Sequence, residues 1–130
     1  VNIYAFVIMP NHMHLIWQLH DGIHKNNFQR DFLKFTARSI LWFMRMNDDT
    51  KLSLLKVNAA DRKFQVWERN SLSIDLYSEK VLLQKLTYIH QNPIKEKWGL
   101  ATLPEDYKYS SAAFYETGID TFGILTHFRG

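Results

Sequence analysis

The chain has 130 residues, a length that fits one domain and leaves no room for two full cores. Hydrophobic residues make up 46% and charged residues 22%, so we expect a folded core and not a disordered chain. The absence of cysteine excludes disulfides, a cysteine nucleophile and thiolate zinc sites, and it is compatible with a cytoplasmic location. No apolar run approaches the roughly 20 residues that cross a bilayer, so no membrane partner is expected.

The net charge of +3 is unevenly distributed along the chain. From Gly22 to Arg69 there are ten Lys and Arg against five Asp and Glu, whereas the remainder is slightly acidic. A basic segment in a small domain is typical of proteins that bind a polyanion. An ordinary solvated helix surface explains the same charges, and charge alone favours that explanation.

The first two elements are predicted to form a β-hairpin. Residues 3–9 are apolar at nearly every position, which indicates a buried strand. A turn signal follows at Pro10 and Asn11, and His12 to Leu19 then alternates strictly between two sides. This alternation places His12 and His14 on the same face of the second strand.

A long helix is predicted from Asn26 to Met46. Its apolar side carries Phe28, Phe32, Phe35, Ser39, Phe43 and Met46. The opposite side carries Arg45 and three further cations, which we call the basic stripe: Arg30, Lys34 and Arg38.

Two more elements are expected after this helix. Lys63 to Trp67 alternates again and predicts a third strand. Ser78 is a favourable N-cap residue, and Glu79 lies in the first turn, where a negative charge favours a helix start. The helix should run to about Gln91, because Pro93 disfavours helical backbone at the residue before it.

The order strand, strand, helix, strand, helix indicates an α+β fold. It corresponds to most of a ferredoxin-like or RRM-like βαββαβ unit, an antiparallel sheet with helices, without its first strand and helix. We therefore expect a single domain over residues 1–130, with an irregular tail from about residue 99.

Two short motifs carry residues suited to chemistry. His12 and His14 can converge on one ion, and two imidazoles with oxygen ligands suit Mn²⁺ or Mg²⁺. Tyr88 and Asn92 are four residues apart on the predicted helix and are therefore neighbours on one face. A tyrosine can act as a covalent nucleophile, and an asparagine carbonyl can bind a hard cation. Each motif alone is better explained by chance or by a structural role.

Together the motifs resemble those of the single-tyrosine HUH transposases, and most closely their REP-associated branch. The matching segments are Pro10-Asn11-His12-Met13-His14-Leu15, Trp67-Glu68-Arg69, Tyr88-Ile89-His90-Gln91-Asn92-Pro93 and Tyr109-Ser110-Ser111. The resemblance spans roughly residues 3 to 115, and the order and spacing of its blocks are specific. Related replication initiators usually have a lysine where this sequence has Gln91, which favours the transposase branch.

The resemblance implies a metal-dependent endonuclease and strand transferase that cuts single-stranded DNA at hairpin-flanked sites. His12, His14 and Asn92 match the metal-binding positions, and Tyr88 matches the nucleophile, which becomes linked to the 5′ phosphate. The implied cofactor is Mg²⁺ or Mn²⁺, with no nucleotide cofactor, and the implied location is the nucleoid. Homodimers in which one subunit's tyrosine serves the other's histidines are known in the wider family, which makes a homodimer possible.

Five basic residues are expected to follow the DNA backbone: Arg30, Lys34, Arg38, Arg69 and Lys85. A solvated surface explains any one of them about equally well. The family normally begins with a strand and a helix ahead of the Ile3 strand, and this sequence lacks both, so the resemblance implies an N-terminally truncated domain.

Two other functions stay open. The first is a truncated or domesticated protein that binds hairpin DNA without cutting it. The second is an RNA-binding sheet of the RRM type, which should expose aromatic side chains on two central strands. Because His12 and His14 occupy the corresponding positions here, the RNA-binding function ranks last. The geometry of the histidines, Tyr88 and Asn92 should separate a cutting enzyme from a non-cutting binder.

Overall fold

The computed structural model describes residues 1–57, 59–60, 62–69 and 71–130. These form two compact units, one of residues 1–21 and 75–130 and the other of residues 22–74. The strands and longer helices are β1 (Asn2–Ile8), β2 (Met13–Gln18), α1 (Lys25–Met46), α2 (Glu79–Gln91) and α3 (Ala112–Thr117). Short 3₁₀ segments lie at Thr50–Leu55, Asn92–Ile94 and Pro104–Asp106.

The predicted α+β class is confirmed. The ferredoxin-like arrangement and the single catalytic domain stay predictions, since the strands of the described residues form a sheet of two. None of the helices in the described stretches is both long and apolar enough to cross a membrane.

The predicted hairpin is present, with β1 and β2 antiparallel. The Met9 N–H donates to the His12 carbonyl over 2.8 Å and closes the turn at Pro10 and Asn11. The second strand begins at Met13, one residue later than predicted, so His12 lies in the turn, directly before the strand. The histidine motif therefore lies at the turn end of the hairpin.

The register of the hairpin decides which face carries His14. Val7 pairs with His14, and Ala5 pairs with Ile16. Paired residues in an antiparallel ladder project to the same side of the sheet. Because Ala5, Val7 and Ile16 are all buried in the hydrophobic core, His14 projects from the core face of the hairpin.

Helix α2 covers that face and matches its predicted bounds. It begins after Ser78, whose hydroxyl accepts the Val81 N–H over 3.2 Å, and it ends at Gln91. Leu86 and Ile89 are buried in the same core as the inward side chains of the hairpin. Burial of two such side chains contributes about 1.5–3 kcal/mol each, which fixes α2 on the histidine face.

The C-terminal part is more ordered than predicted. The stretch expected to be irregular from residue 99 contains α3, and part of it binds the second edge of β1. The Ile8 N–H donates to the Tyr109 carbonyl over 2.8 Å, and the Ser111 N–H donates to the Phe6 carbonyl over 3.0 Å. The sequence did not predict α3 or these bridges, because isolated bridges and a six-residue helix leave no periodic pattern in the sequence.

The second unit is built on α1, which begins one residue earlier than predicted. The predicted strand at Lys63–Trp67 is wrong, because no strand of the structure includes this stretch, whose pairing among the described residues is an isolated bridge between Phe64 and Lys56. The Trp67 indole N–H donates to the Thr36 hydroxyl over 2.9 Å and ties the stretch to α1 through a side chain. Five alternating residues do not make a strand without a partner strand to complete the ladder.

The predicted apolar side of α1 is largely uncovered. No residue of α1 is buried. Phe35, Phe43 and Met46 are all more than half exposed, as is the neighbouring Trp42. The aromatic pattern thus predicted the helix but not a buried face.

Candidate functional site

Three of the four predicted site residues meet at the turn end of the hairpin, within the first unit. The centroids of the His12 and His14 rings are 5.2 Å apart, and those of His14 and Tyr88 are 5.7 Å apart. The period of the strand brings the histidines to one face, and the packing of α2 on that face brings Tyr88 to them. The geometry unites these rings, while their chemical roles stay predictions.

Asn92, the fourth predicted residue, directly follows α2 and is only 3% exposed. Its Nδ2 atom is buried and has no hydrogen-bond partner among the described residues. A buried polar atom without a hydrogen bond costs on the order of 1–3 kcal/mol of folding free energy. This amide is therefore suited to bind a ligand that supplies the missing partner. Because rotation of the amide exchanges its nitrogen and oxygen, the same position can present a carbonyl oxygen to a cation.

The histidines are suited to bind a cation in their neutral form. Burial, then the charge of His12, then that of Lys95 lower the pKa of His14 below its ordinary value. The ring is therefore unprotonated at neutral pH and offers a lone pair. The Nδ1 atom of His12 lies 2.7 Å from the side-chain oxygen of Asn11. With the proton on Nδ1, this contact orients the ring and leaves Nε2 available for a metal.

The donor set differs from an ordinary transition-metal site. No group of three or more His, Cys, Asp and Glu side chains that could hold a metal ion occurs in the described part of the chain. The predicted ligands His12, His14 and Asn92 would instead combine two imidazoles with one amide. Such a set leaves coordination positions for water and substrate oxygens, which suits Mg²⁺ or Mn²⁺ near a phosphate.

Tyr88 is accessible to a substrate. Its side chain is 49% exposed. Its ring contacts His14 and also the ammonium of Lys95, whose Nζ lies 4.2 Å from the ring centroid. Sequence reasoning missed Lys95; the signal that could have found it is a basic residue just beyond the turn that ends α2.

A serine–histidine pair joins α2 to β1, and the sequence did not predict that these two residues meet. The Ser111 hydroxyl is fully buried, accepts the Phe6 N–H over 3.0 Å and donates to the Phe6 carbonyl over 3.2 Å. The Nε2 atom of His90 lies 2.7 Å from the same hydroxyl. Because its hydrogen-bonding capacity is used within the protein, this pair fastens α2 to β1 and is not a nucleophile with its base.

His90 should make stability depend on pH. Burial lowers its pKa from 6.5 to about 4. The neutral ring is therefore favoured in the folded state, so its contribution is complete above pH 6.5 and is lost as the pH falls from 6.5 to 4. At about 1.4 kcal/mol per pH unit, the loss approaches about 3 kcal/mol. Chemical denaturation of the metal-free protein at several pH values measures it.

The matched variant for this pH dependence is His90→Gln. A glutamine amide can donate to the Ser111 hydroxyl but does not titrate. Its free energy of unfolding should therefore fall less steeply between pH 6.5 and 4 than that of the wild type. Equal slopes for the two proteins would remove His90 as the cause.

The residues predicted to contact DNA lie in both units. The basic stripe is exposed along α1, where the Arg30 Nε also pairs with Asp31 at 3.0 Å. Arg69 is exposed in the second unit, and Lys85 is exposed on α2 in the first. Contact of these five residues with DNA stays a prediction.

Comparison with known proteins adds no relative. No family model matches the chain, and neither a curated protein nor a solved structure matches it. The resemblance to the HUH transposases therefore depends on the sequence motifs and stays a prediction.

Proposed function

We propose that this protein cuts and rejoins single-stranded DNA at hairpin-flanked sites, as HUH transposases do, with Tyr88 as its nucleophile. The observation that carries the proposal is the meeting of the His12, His14 and Tyr88 rings at one end of the hairpin. Asn92 follows the helix that carries Tyr88, and its Nδ2 atom, which has no hydrogen-bond partner among the described residues, supports the proposal further. Action on DNA implies a cytoplasmic protein at the nucleoid.

The proposed reaction is a transesterification at phosphorus. The Tyr88 oxygen forms a bond to the scissile phosphorus while the bond from phosphorus to the 3′ oxygen breaks. The tyrosine proton passes to water, and the leaving oxygen takes up a proton to become a free 3′ hydroxyl. The 5′ phosphate stays on Tyr88, so a second 3′ hydroxyl can reverse the step without a nucleotide cofactor.

Three residues would hold the divalent cation of this reaction. His12, His14 and Asn92 fit Mg²⁺ or Mn²⁺, which when bound supplies Lewis-acid polarisation of the scissile phosphate. The neutral His14 and the oriented His12 would provide nitrogen ligands, and the amide of Asn92 would provide an oxygen. Their further task is to position the phosphate against the Tyr88 hydroxyl.

The proposed site is assembled in cis. His14 and Tyr88 of one chain are in ring contact, so one subunit contains both halves of the site. A homodimer stays part of the proposal, because no other strand of the described stretches pairs with the outer edge of β2. Unpaired edges of this kind are suited to pairing with a second chain.

The two competing functions are less well supported. Convergence of the three rings favours a cutting enzyme over a protein that only binds hairpin DNA. An RRM-type surface is disfavoured because neither β1 nor β2 carries an exposed aromatic side chain.

A cleavage assay tests the proposed function. A panel of end-labelled single strands, each with one hairpin and varied flanks, is incubated with the protein and Mn²⁺, Mg²⁺ or EDTA. We expect metal-dependent cutting of some single strands and no cutting of the corresponding duplexes. Tight binding of the panel without any cutting in Mn²⁺ would instead support the non-cutting alternative.

The basic stripe should contribute to the salt dependence of DNA binding. For single strands the slope of log affinity against log salt is about −0.7 per phosphate contact, so replacing Arg30, Lys34 and Arg38 by alanine should flatten it by roughly two. Fluorescence anisotropy at several salt concentrations measures the slope. A matched control replaces three other exposed lysines of the second unit, Lys51, Lys56 and Lys63. If both triple variants keep the wild-type slope, the stripe is a solvated surface.

A further inference from the structure

We propose that Lys95 is a further catalytic residue that binds the non-bridging oxygens of the scissile phosphate beside Tyr88. The inference rests on the proposed function. It assigns a substrate contact to a side chain that lies outside the motifs that revealed the site.

The position of the Lys95 ammonium carries the inference. Its Nζ lies 4.2 Å from the centroid of the Tyr88 ring, which also contacts the imidazole of His14. The charge of Lys95 also contributes to the lowered pKa of His14, so its field reaches the imidazole. A phosphate attacked by the Tyr88 hydroxyl must therefore enter the field of this ammonium.

The backbone holds Lys95 close to the end of α2. Its N–H donates to the Asn92 carbonyl over 3.4 Å. Its carbonyl accepts the N–H groups of Trp98 and Gly99 over 2.9 and 2.8 Å. The backbone of Lys95 is thus fixed relative to the helix that carries Tyr88, while its side chain extends over the tyrosine ring.

The present contact of Lys95 is weak enough to yield to a phosphate. A cation over an exposed aromatic ring contributes about 0.5–1 kcal/mol. Hydrogen bonds from an ammonium to a phosphate are charge-assisted and roughly twice as strong as neutral ones. Lys95 has no ion pair with a carboxylate among the described residues, so no salt bridge has to break. The ammonium should therefore leave the ring for the substrate.

The chemistry gives this ammonium a defined task. A phosphodiester carries a negative charge that repels an attacking oxygen, and that charge is redistributed over the non-bridging oxygens during attack. Lys95 donates hydrogen bonds to these oxygens and neutralises their charge. It keeps its protons throughout and forms no covalent bond, so the balance of the tyrosine transfer is unchanged.

The first test compares Lys95→Gln with Lys97→Gln. Lys97 is a matched control because it lies two residues away with its Nζ 5.5 Å from the Trp98 ring and not beside Tyr88. In single-turnover cleavage with Mn²⁺, Lys95→Gln should lower the rate on the order of 10²-fold, and Lys95→Arg should restore part of it. Lys97→Gln should stay within about twofold of the wild type on the same scale. Equal rates for the Lys95→Gln and Lys97→Gln proteins would overturn the inference.

A modified substrate tests the contact itself. A methylphosphonate at the scissile position removes the negative charge of the phosphate. If Lys95 acts on that charge, Lys95→Gln and wild type should cut this substrate at similar rates, although they differ on the natural strand. An undiminished penalty on the methylphosphonate would assign the effect of Lys95 to something other than the scissile phosphate.

A second measurement does not depend on cleavage. Inorganic phosphate is titrated into the metal-free protein while side-chain NMR signals of His14 and Tyr88 are followed. Lys95→Gln should weaken the apparent affinity for phosphate severalfold, whereas Lys97→Gln should not. Identical titrations of both variants would overturn the inference even if the wild type cuts DNA. If phosphate binding depends on Lys95 but the protein cuts no strand, the proposed function is contradicted. The inference that Lys95 binds phosphate beside Tyr88 is then retained.

Discussion

Replacement of Tyr88 by phenylalanine is expected to abolish cleavage of a cognate single strand. The substitution removes one hydroxyl, which is the attacking atom of the proposed reaction, and nucleophile deletions commonly cost more than about 10⁴-fold in rate. Affinity for the strand should change less than about twofold, because the backbone contacts stay. Single-turnover cleavage and equilibrium binding on the same oligonucleotide measure the two effects separately.

Tyr109→Phe is the matched control for this variant. Tyr109 is 48% exposed, and like Tyr88 it has a lysine near its ring, with the Lys108 Nζ 5.8 Å from the centroid. It lies outside the cluster formed with His14. This control should cut at the wild-type rate. Cleavage by Tyr88→Phe at the rate of Tyr109→Phe would eliminate Tyr88 as the nucleophile.

Replacement of His14 by alanine is expected to cause the second large loss. It removes an imidazole that projects from the core face of the hairpin toward Tyr88, together with one of the proposed metal ligands. The cleavage rate at saturating DNA should fall on the order of 10²–10³-fold, because one element of the electrostatic stabilisation is lost. The Mn²⁺ concentration for half-maximal cutting should also rise. Rates measured across a series of Mn²⁺ concentrations give both quantities.

His20→Ala serves as the control for His14. His20 is exposed, and its ring contacts the N-terminal amine and Asn2 instead of the site. It should leave the rate and the Mn²⁺ dependence unchanged. A thermal melt of each variant shows that both are folded. If His14→Ala cuts with the metal dependence of the control, the proposed ligand set is wrong.

Local patterns predicted the parts of the fold that form from neighbouring residues. The hairpin follows from a buried apolar run, a proline turn and strict alternation, and the observed register preserves that alternation. The second helix follows from Ser78, which caps it as predicted, and from Pro93, which ends its regular part. Both signals act within a few residues, so no knowledge of distant contacts is needed.

Errors arose where structure depends on distant partners. Lys63–Trp67 alternates like a strand, but among the described residues its backbone forms an isolated bridge and not a ladder. The tryptophan is instead held by a helix residue 31 positions earlier. The ordered segment at Tyr109–Ser111 pairs with β1 across more than a hundred residues. No local periodicity reports such a pairing, because it involves only a few residues.

The residues of the candidate site likewise divide into those that local patterns predicted and those that depend on distant contacts. His12, His14 and Tyr88 could be grouped in advance because strand and helix periods place them on defined faces. Lys95 and the pair His90–Ser111 could not, since their importance depends on which elements lie side by side. On α1 the pattern correctly predicted an apolar face, but the structure leaves that face exposed. An apolar helical pattern does not say whether anything covers it.

Isolation of a covalent protein–DNA adduct tests the central claim most directly. A single strand that is cut in the panel is labelled at its 3′ end, incubated with the protein and Mn²⁺, and denatured. Digestion and mass spectrometry then locate the linked nucleotide. We predict a 5′ phosphate bonded to the oxygen of Tyr88, a free 3′ hydroxyl on the other fragment, and no adduct with Tyr88→Phe. Cleavage without an adduct, or an adduct on another residue, would contradict the account.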